Sequence, residues 1–173
     1  VWNSSQVWYM PFDDMDDPVT DEISMWPWRE AYYTINVCNF ILSRTTGDDA
    51  SLSESMKRIK GQALFLRGYS YYTLAGYYQN PALITDYANY SSLDGLYGKN
   101  STYDDVLDQV EKDFAEAMTL LPSRDAGGEW AKGRATCGAA AGYYASTLMQ
   151  RHKYSDARTV LKDIMNKKYG SYK

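Results

Sequence analysis

Between about residues 52 and 78 the sequence carries helical periodicity on two faces at once, and a helix that is apolar on two sides has to be flanked on both. One set of positions is Ile59, Ala63, Leu66 and Ser70; the other is Phe65, Tyr69 and Tyr72, bracketed by Gly61 and Gly76. At about 1.5 Å of rise per residue the run reaches roughly 40 Å. Glycine inside a helix costs about 1 kcal/mol relative to alanine, so Gly61, Gly68 and Gly76 are expected where another helix crosses closely. The preceding stretch "DDASLSE" places Ser51 three residues before Glu54, the spacing of a capping box, and Pro81 ends the run.

The neighbours that such a helix needs are present in the same chain. A first helix is expected over about 25–43, with Trp28, Tyr32, Ile35, Cys38, Asn39 and Leu42 on one face. A third begins after Ser101 and Thr102, carries Tyr103, Val106, Leu107, Val110, Phe114, Ala117 and Leu121, and stops at Pro122. A fourth, over about 134–150, is crowded with Ala135, Ala139, Ala140, Ala141 and Ala145, which suits a central helix approached from several sides. A fifth follows the turn "RHK" with Tyr154, Ala157, Leu161, Ile164 and Met165. Helices four and five with their turn span roughly 34 residues, the length of a tetratricopeptide unit, although the full signature of that repeat is absent. The expected fold is therefore all-α, with tetratricopeptide-like paired helices and long irregular loops. One such loop, 79–100, contains Tyr87, Tyr90 and Tyr97 and is either functional or laid over the body of the protein.

Composition narrows the function classes. At 173 residues, 45% apolar and 23% charged, the chain fits one folded domain, 1–173. A formal charge of −4 and the lack of a dense basic run argue against nucleic acid and anionic membrane surfaces as partners. No apolar stretch approaches the roughly 18 residues that span a bilayer, and no signal peptide is present. The chain opens at "VWNSSQVWYMPF" without an initiator Met and ends in "NKKYGSYK", and it reads as a trimmed or excised piece of a longer polypeptide. Cys38 and Cys137 fall in periodic helical segments and read as buried thiols.

Catalytic chemistry finds little to work with. His152 is the only histidine and sits in a polar turn; neither cysteine has a local partner, and no HExxH, CxxC or nucleophile elbow occurs. The acidic run Asp13, Asp14, Asp16 and Asp17 lacks the glycine a calcium loop needs at its sixth position. Nothing selects a carboxylate pair for glycoside hydrolysis. No catalytic set, metal site or cofactor is expected, and the chain is read as a non-enzyme. What stands out is aromatic: 17 Tyr, 5 Trp and 4 Phe. Most of the tyrosines suit helix interfaces, but Trp2, Trp8, Tyr9, Trp26 and Trp130 lie in or near loops. An indole or phenol face stacks on a sugar ring while neighbouring Asn and Asp bond its hydroxyls, so these five can serve a carbohydrate site, the alternative for each being to anchor its loop onto the helices.

Four segments together resemble the SusD/RagB family of bacterial surface glycan-binding lipoproteins. In "WREAYYTINVCNFIL", Trp28, Tyr32, Ile35, Cys38 and Asn39 occupy the family's W, Y, I and C-N places. In "IKGQALFLRGYSYYTLAGYYQNPAL", Gly61, Ala63, Phe65, Leu66, Arg67, Tyr69 and Tyr71 match its strongest motif, with Gln62 for the usual Glu and Gly68 for the usual Ala. In "YDDVLDQVEKDFAEAMTLLP", Asp113, Ala117, Leu121 and Pro122 match, with Phe114 for Leu. "KGRATCGAAAGYYASTLMQRHKYSDA" is similar to the family's "G-R-x-T-x-x-A-A" helix, with Tyr154 for Trp in the segment that follows.

The resemblance implies a tetratricopeptide-like scaffold holding loops for oligosaccharide capture, in an outward-facing outer-membrane lipoprotein seated over a TonB-dependent transporter. It implies a glycan ligand and that transporter as partners, with membrane attachment only through a lipid anchor absent from this chain. Family members are much longer, and this chain corresponds to their amino-terminal portion. The matched residues are chiefly scaffold in the family, while the loop from Trp2 to Tyr9 corresponds roughly to a region with sugar contacts, which makes Trp2, Trp8 and Tyr9 the candidate carbohydrate-binding residues. The alternative is a helical-repeat scaffold that binds protein partners and has no sugar site of its own.

Overall fold

The structure is a computed structural model that describes residues 22–47, 49–88 and 98–171. The acidic run and the three candidate residues Trp2, Trp8 and Tyr9 lie outside the described residues, as do Tyr90, Tyr97 and the side chain of Trp130.

Five α-helices follow one another among the described residues: α1 (Glu22–Arg44), α2 (Glu54–Tyr78), α3 (Tyr103–Leu120), α4 (Cys137–Gln150) and α5 (Tyr154–Met165). Short 3₁₀ turns occupy Asp49–Ser51, Arg124–Ala126 and Gly128–Ala131, and the described residues contain no strand. Each helix packs chiefly on its neighbours in sequence, α1 on α2, α2 on α3, α3 on α4 and α4 on α5, with a lesser contact between α2 and α4. This is the all-α, paired-helix arrangement expected, and it leaves α1 and α5 as the two edges of the stack.

Starts and stops are local chemistry. The cap of α2 is Ser53, not Ser51: its hydroxyl accepts from the Met56 backbone N–H at 3.3 Å, while Ser51 lies in the preceding 3₁₀ turn. Either serine can cap in principle; the one directly before the first helical residue has the extended backbone a cap requires. The reciprocal capping box belongs to α3, where Thr102 accepts from the Asp105 N–H and the Asp105 carboxylate accepts from the Thr102 N–H. Thr136 caps α4 by accepting from Ala139.

The main core is built from Ala31 and Ile35 of α1, Tyr71, Leu74 and Ala75 of α2, and Val106, Leu107, Val110 and Phe114 of α3. A fully buried Ile, Leu or Phe contributes about 1.5–3 kcal/mol. The buried face of α2 differs from the one its periodicity suggested. Ala63 and Ser70 are buried as expected, but Ile59 and Leu66 are exposed; Leu64, Arg67, Tyr71 and Leu74 take the interior. The reason is that α2 meets its partners through small residues. A β-carbon at Gly61 would stand 2.9 Å from Leu121, and one at Gly68 would stand 3.2 Å from Asp113 and 3.3 Å from Phe114. Those two glycines do mark close approach to α3. Gly76 does not, since a β-carbon there meets nothing within 4 Å.

Candidate functional site

The residues that carry the sequence motifs converge on one object, the non-helical segment 81–85 that follows α2. Pro81 and Ile84 in it are buried, and four side chains from α1 and α2 bond its backbone. Tyr32 donates its hydroxyl to the Ala82 carbonyl at 2.7 Å. Tyr71 accepts from the Ile84 N–H at 2.8 Å and donates to the Ile84 carbonyl at 2.9 Å, which also receives the Asn39 amide at 2.7 Å. Arg67 donates to the Thr85 carbonyl at 3.3 Å. The other flank is tied to the start of α3, where the Ser101 N–H donates to the Pro81 carbonyl and the Ser101 hydroxyl accepts from the Leu83 N–H. A segment with no helix or sheet of its own thus has its buried backbone groups satisfied by side chains.

Beneath it lies a buried ion pair. Arg67 Nε and Nη2 donate to the two carboxylate oxygens of Asp113 at 2.8 and 2.7 Å, a bidentate fork, and Nη1 donates to Asn39 Oδ1 at 2.9 Å. Gln109 adds a donor to Asp113 at 2.7 Å. Burial pushes the Asp113 carboxyl up from its ordinary value, against the downward pull of Arg67 and Gln109. Burial likewise pushes the neighbouring Cys38 thiol up to about 11. These groups hold geometry: Arg67 Nε, Nη1 and Nη2 are all engaged with protein acceptors.

Gln62, where the motif has Glu, donates its amide to the Ala135 carbonyl at 2.7 Å, joining α2 to the residue before the α4 cap. An ionised Glu has no proton to give that carbonyl. His152 occupies an exposed left-handed turn, φ 59°, with Nδ1 2.7 Å from the Tyr154 hydroxyl. Cys38 and Cys137 are both buried free thiols, as expected. Among the described residues no group of three or more His, Cys, Asp or Glu is placed to hold a metal, and no helix is long and apolar enough to cross a membrane.

The surface that offers ring faces is the end of the stack where α1 begins and α2 finishes. Trp28 packs on Tyr32 at 4.9 Å and edge-on against Tyr78 at 5.0 Å, and Tyr77 lies against Tyr78 at 6.3 Å. Trp26 is 64% exposed and Tyr77 75% exposed, while Trp28, Tyr32 and Tyr78 are half-buried against the core. Trp26, expected in or near a loop, lies in α1 and still presents its ring outward. The ring pairs here are tilted or edge-on, so a coplanar platform is not built from them. Residues 1–21 join α1 at this end, so the stretch bearing Trp2, Trp8 and Tyr9 is covalently continuous with the exposed rings.

Residues 1–148 match the family described as SusD-like, starch-binding associating with outer membrane. Among solved structures, a SusD-like carbohydrate binding protein from Bacteroides fragilis is 25% identical with a TM-score of 0.77, the match covering 90% of this chain and 30% of that one. A SusD superfamily protein from Bacteroides vulgatus gives a TM-score of 0.80 at 19% identity, over 95% and 34% of the two chains. A laminarin binding SusD-like protein gives 0.76 at 22% identity, over 95% and 34%. This chain therefore spans 30–34% of the length of these structures. No curated protein matches significantly.

Proposed function

The chain belongs to the SusD-like family, and from that membership we propose that it is the amino-terminal helical part, residues 1–173, of a longer glycan-binding protein. In this reading it binds oligo- or polysaccharide without turnover on the outward face of the bacterial outer membrane. A lipid anchor holds it there, and the bound glycan passes to a TonB-dependent transporter. The observation that carries the reading is the aromatic end of the stack, where Trp26 and Tyr77 expose their rings; Trp2, Trp8 and Tyr9 precede α1 in sequence. Apolar ring faces beside polar loop groups suit a sugar, which presents C–H faces and a rim of hydroxyls.

The test is calorimetric titration of a panel of neutral and charged polysaccharides and their oligomers, with chromatography of the sugar before and after. Saturable heat with one glycan and an unchanged sugar is the expected result; no heat across the panel, or shortened sugar, contradicts it. A protein-binding helical scaffold is the second reading, favoured by one feature: Ile59, Leu66 and Tyr69 form an exposed apolar stripe along α2. It predicts that replacing Leu66 by a polar residue alters association with a partner and leaves glycan titrations flat throughout.

A further inference from the structure

On the outward side of α1, away from the exposed Trp26 and Tyr77, lies a shallow depression lined by Asn36, Val37, Phe40 and Tyr87. Its volume is about 260 Å³, room for a single sugar ring. Three features make it more than a gap between side chains. Asn36 Oδ1 is buried and meets no hydrogen-bond partner, the only such side-chain atom among the described residues. An orphaned buried acceptor costs about 1–3 kcal/mol, and a half-turn of the carboxamide about its terminal torsion would bring Oδ1 out to the depression, where a donor can meet it. Beside it, Phe40 and Tyr87 meet edge to face at 5.2 Å and 64°, and both rings, with Val37, remain partly open to solvent. Arg44 stands over the Phe40 ring at 5.3 Å and helps fix its orientation.

The position of Tyr87 is not accidental. It lies two residues beyond segment 81–85, whose backbone is bonded by Tyr32, Asn39, Arg67 and Tyr71. The buried network therefore sets where the Tyr87 backbone emerges against α1. Aromatic and aliphatic surface beside one carboxamide, with no carboxylate in the lining, matches a neutral hexose: a C–H face for the rings and a hydroxyl for the amide. A carboxamide can turn about its terminal torsion, and a hydroxyl answers either of its ends.

We propose that Asn36, Phe40 and Tyr87 form a second contact for a neutral glucan, separate from the aromatic end of the stack. The proposal rests on the glycan-binding reading and adds to it a ligand class and a place. Maltoheptaose and laminarihexaose are the probes, titrated into the ¹⁵N-labelled chain while the side-chain amide pair of Asn36 is followed by NMR. A saturable shift of that pair with one of the probes is expected. Asn36→Ala and Phe40→Ala should each weaken that probe by about tenfold, the factor one lost neutral hydrogen bond or ring contact brings. Tyr154→Ala, an exposed ring on α5, should change nothing. Because a variant could act through folding, circular dichroism and Tm of each are compared with those of the parent, and the Asn36 resonance is read on the unaltered chain. Saturable glucan binding with Asn36 unshifted and both variants at parental affinity overturns the proposal while glycan binding stands. Binding of a charged polysaccharide but of neither glucan does the same. Failure with every glycan overturns both.

Discussion

The two ends of the helical stack are held by different physics. From α1 to α3 the contacts are sealed: Ile35, Tyr71, Leu74, Val106, Leu107, Val110 and Phe114 are fully buried, and the Arg67–Asp113 pair sits among them. At α5 only Ala157 is buried, Lys153 supplies no side-chain cap, and Leu161 and Met165 remain exposed. What ties that end back is a cluster of ion pairs: Glu111 of α3 with Arg151 at 2.8 Å and with Lys153 at 2.9 Å, and Asp108 with Arg151. The lesson is about cost. A buried ion pair is expensive to break because its survivor is stranded, whereas in this cluster Arg151 has a second partner in the exposed Asp108 and Lys153 reaches solvent, so no single loss strands a charge completely.

The largest effect that separates the ends is therefore expected at Asp113. Asp113→Ala strands Arg67 in the interior and should cost about 3–5 kcal/mol in urea unfolding; a loss near that of a surface substitution would mean the pair is not structural. Next come the glycines. Gly61→Ala forces a β-carbon to within 2.9 Å of Leu121, and crowding of about 1–3 kcal/mol outweighs the gain of about 1 kcal/mol in helix propensity. Gly142→Ala on α4, where nothing lies within 4 Å, should instead stabilise by about 0.5–1 kcal/mol. Equal signs for the two substitutions would erase the distinction between packed and open faces.

At the α5 end, Glu111→Ala should cost clearly less than Asp113→Ala, about 1–2 kcal/mol and less in high salt, since Arg151 keeps Asp108 and Lys153 reaches solvent. The smallest effect is chemical. With its thiol pushed up to about 11 by burial, Cys38 holds only about a thousandth of its molecules as thiolate at pH 8. Iodoacetamide should label it only as fast as the chain unfolds. The sign follows from the shift: the folded state favours the protonated thiol, so stability from this group is complete below the unfolded value of 9.0 and declines as pH rises toward 11.

These contrasts also explain what could be read in advance. The five helices were legible because α1, α3, α4 and α5 each carry a stripe at helical spacing, clearest in α3, where Val106, Val110, Phe114 and Ala117 are all fully buried. The face of α2 was not. A helix gripped on two sides through glycine and alanine has no single apolar stripe, so Ile59 and Leu66 looked interior while Arg67 did the interior's work. Arg67 and Asp113 were both visible as motif residues, but nothing local pairs positions 46 apart in sequence. The anchoring of 81–85 was equally hidden, although Pro81 followed by Ala82, Leu83 and Ile84 is an apolar run where a solvent loop would be polar. Of the candidate site, Trp26 was visible only as one of five aromatics in or near loops, and its outward ring on α1 was not; Trp2, Trp8 and Tyr9 rest on composition and on the family resemblance.

The central claim is a division of labour, with motif residues building the scaffold and the aromatic end binding the glycan. It is tested most directly by calorimetry and thermal unfolding on the same two variants, Trp8→Ala and Asp113→Ala. The account predicts that Trp8→Ala loses the heat of glycan binding at an unchanged Tm, while Asp113→Ala lowers Tm yet retains affinity at temperatures where it is still folded. Trp8→Ala binding as tightly as the parent, or Asp113→Ala losing affinity while fully folded, would contradict it.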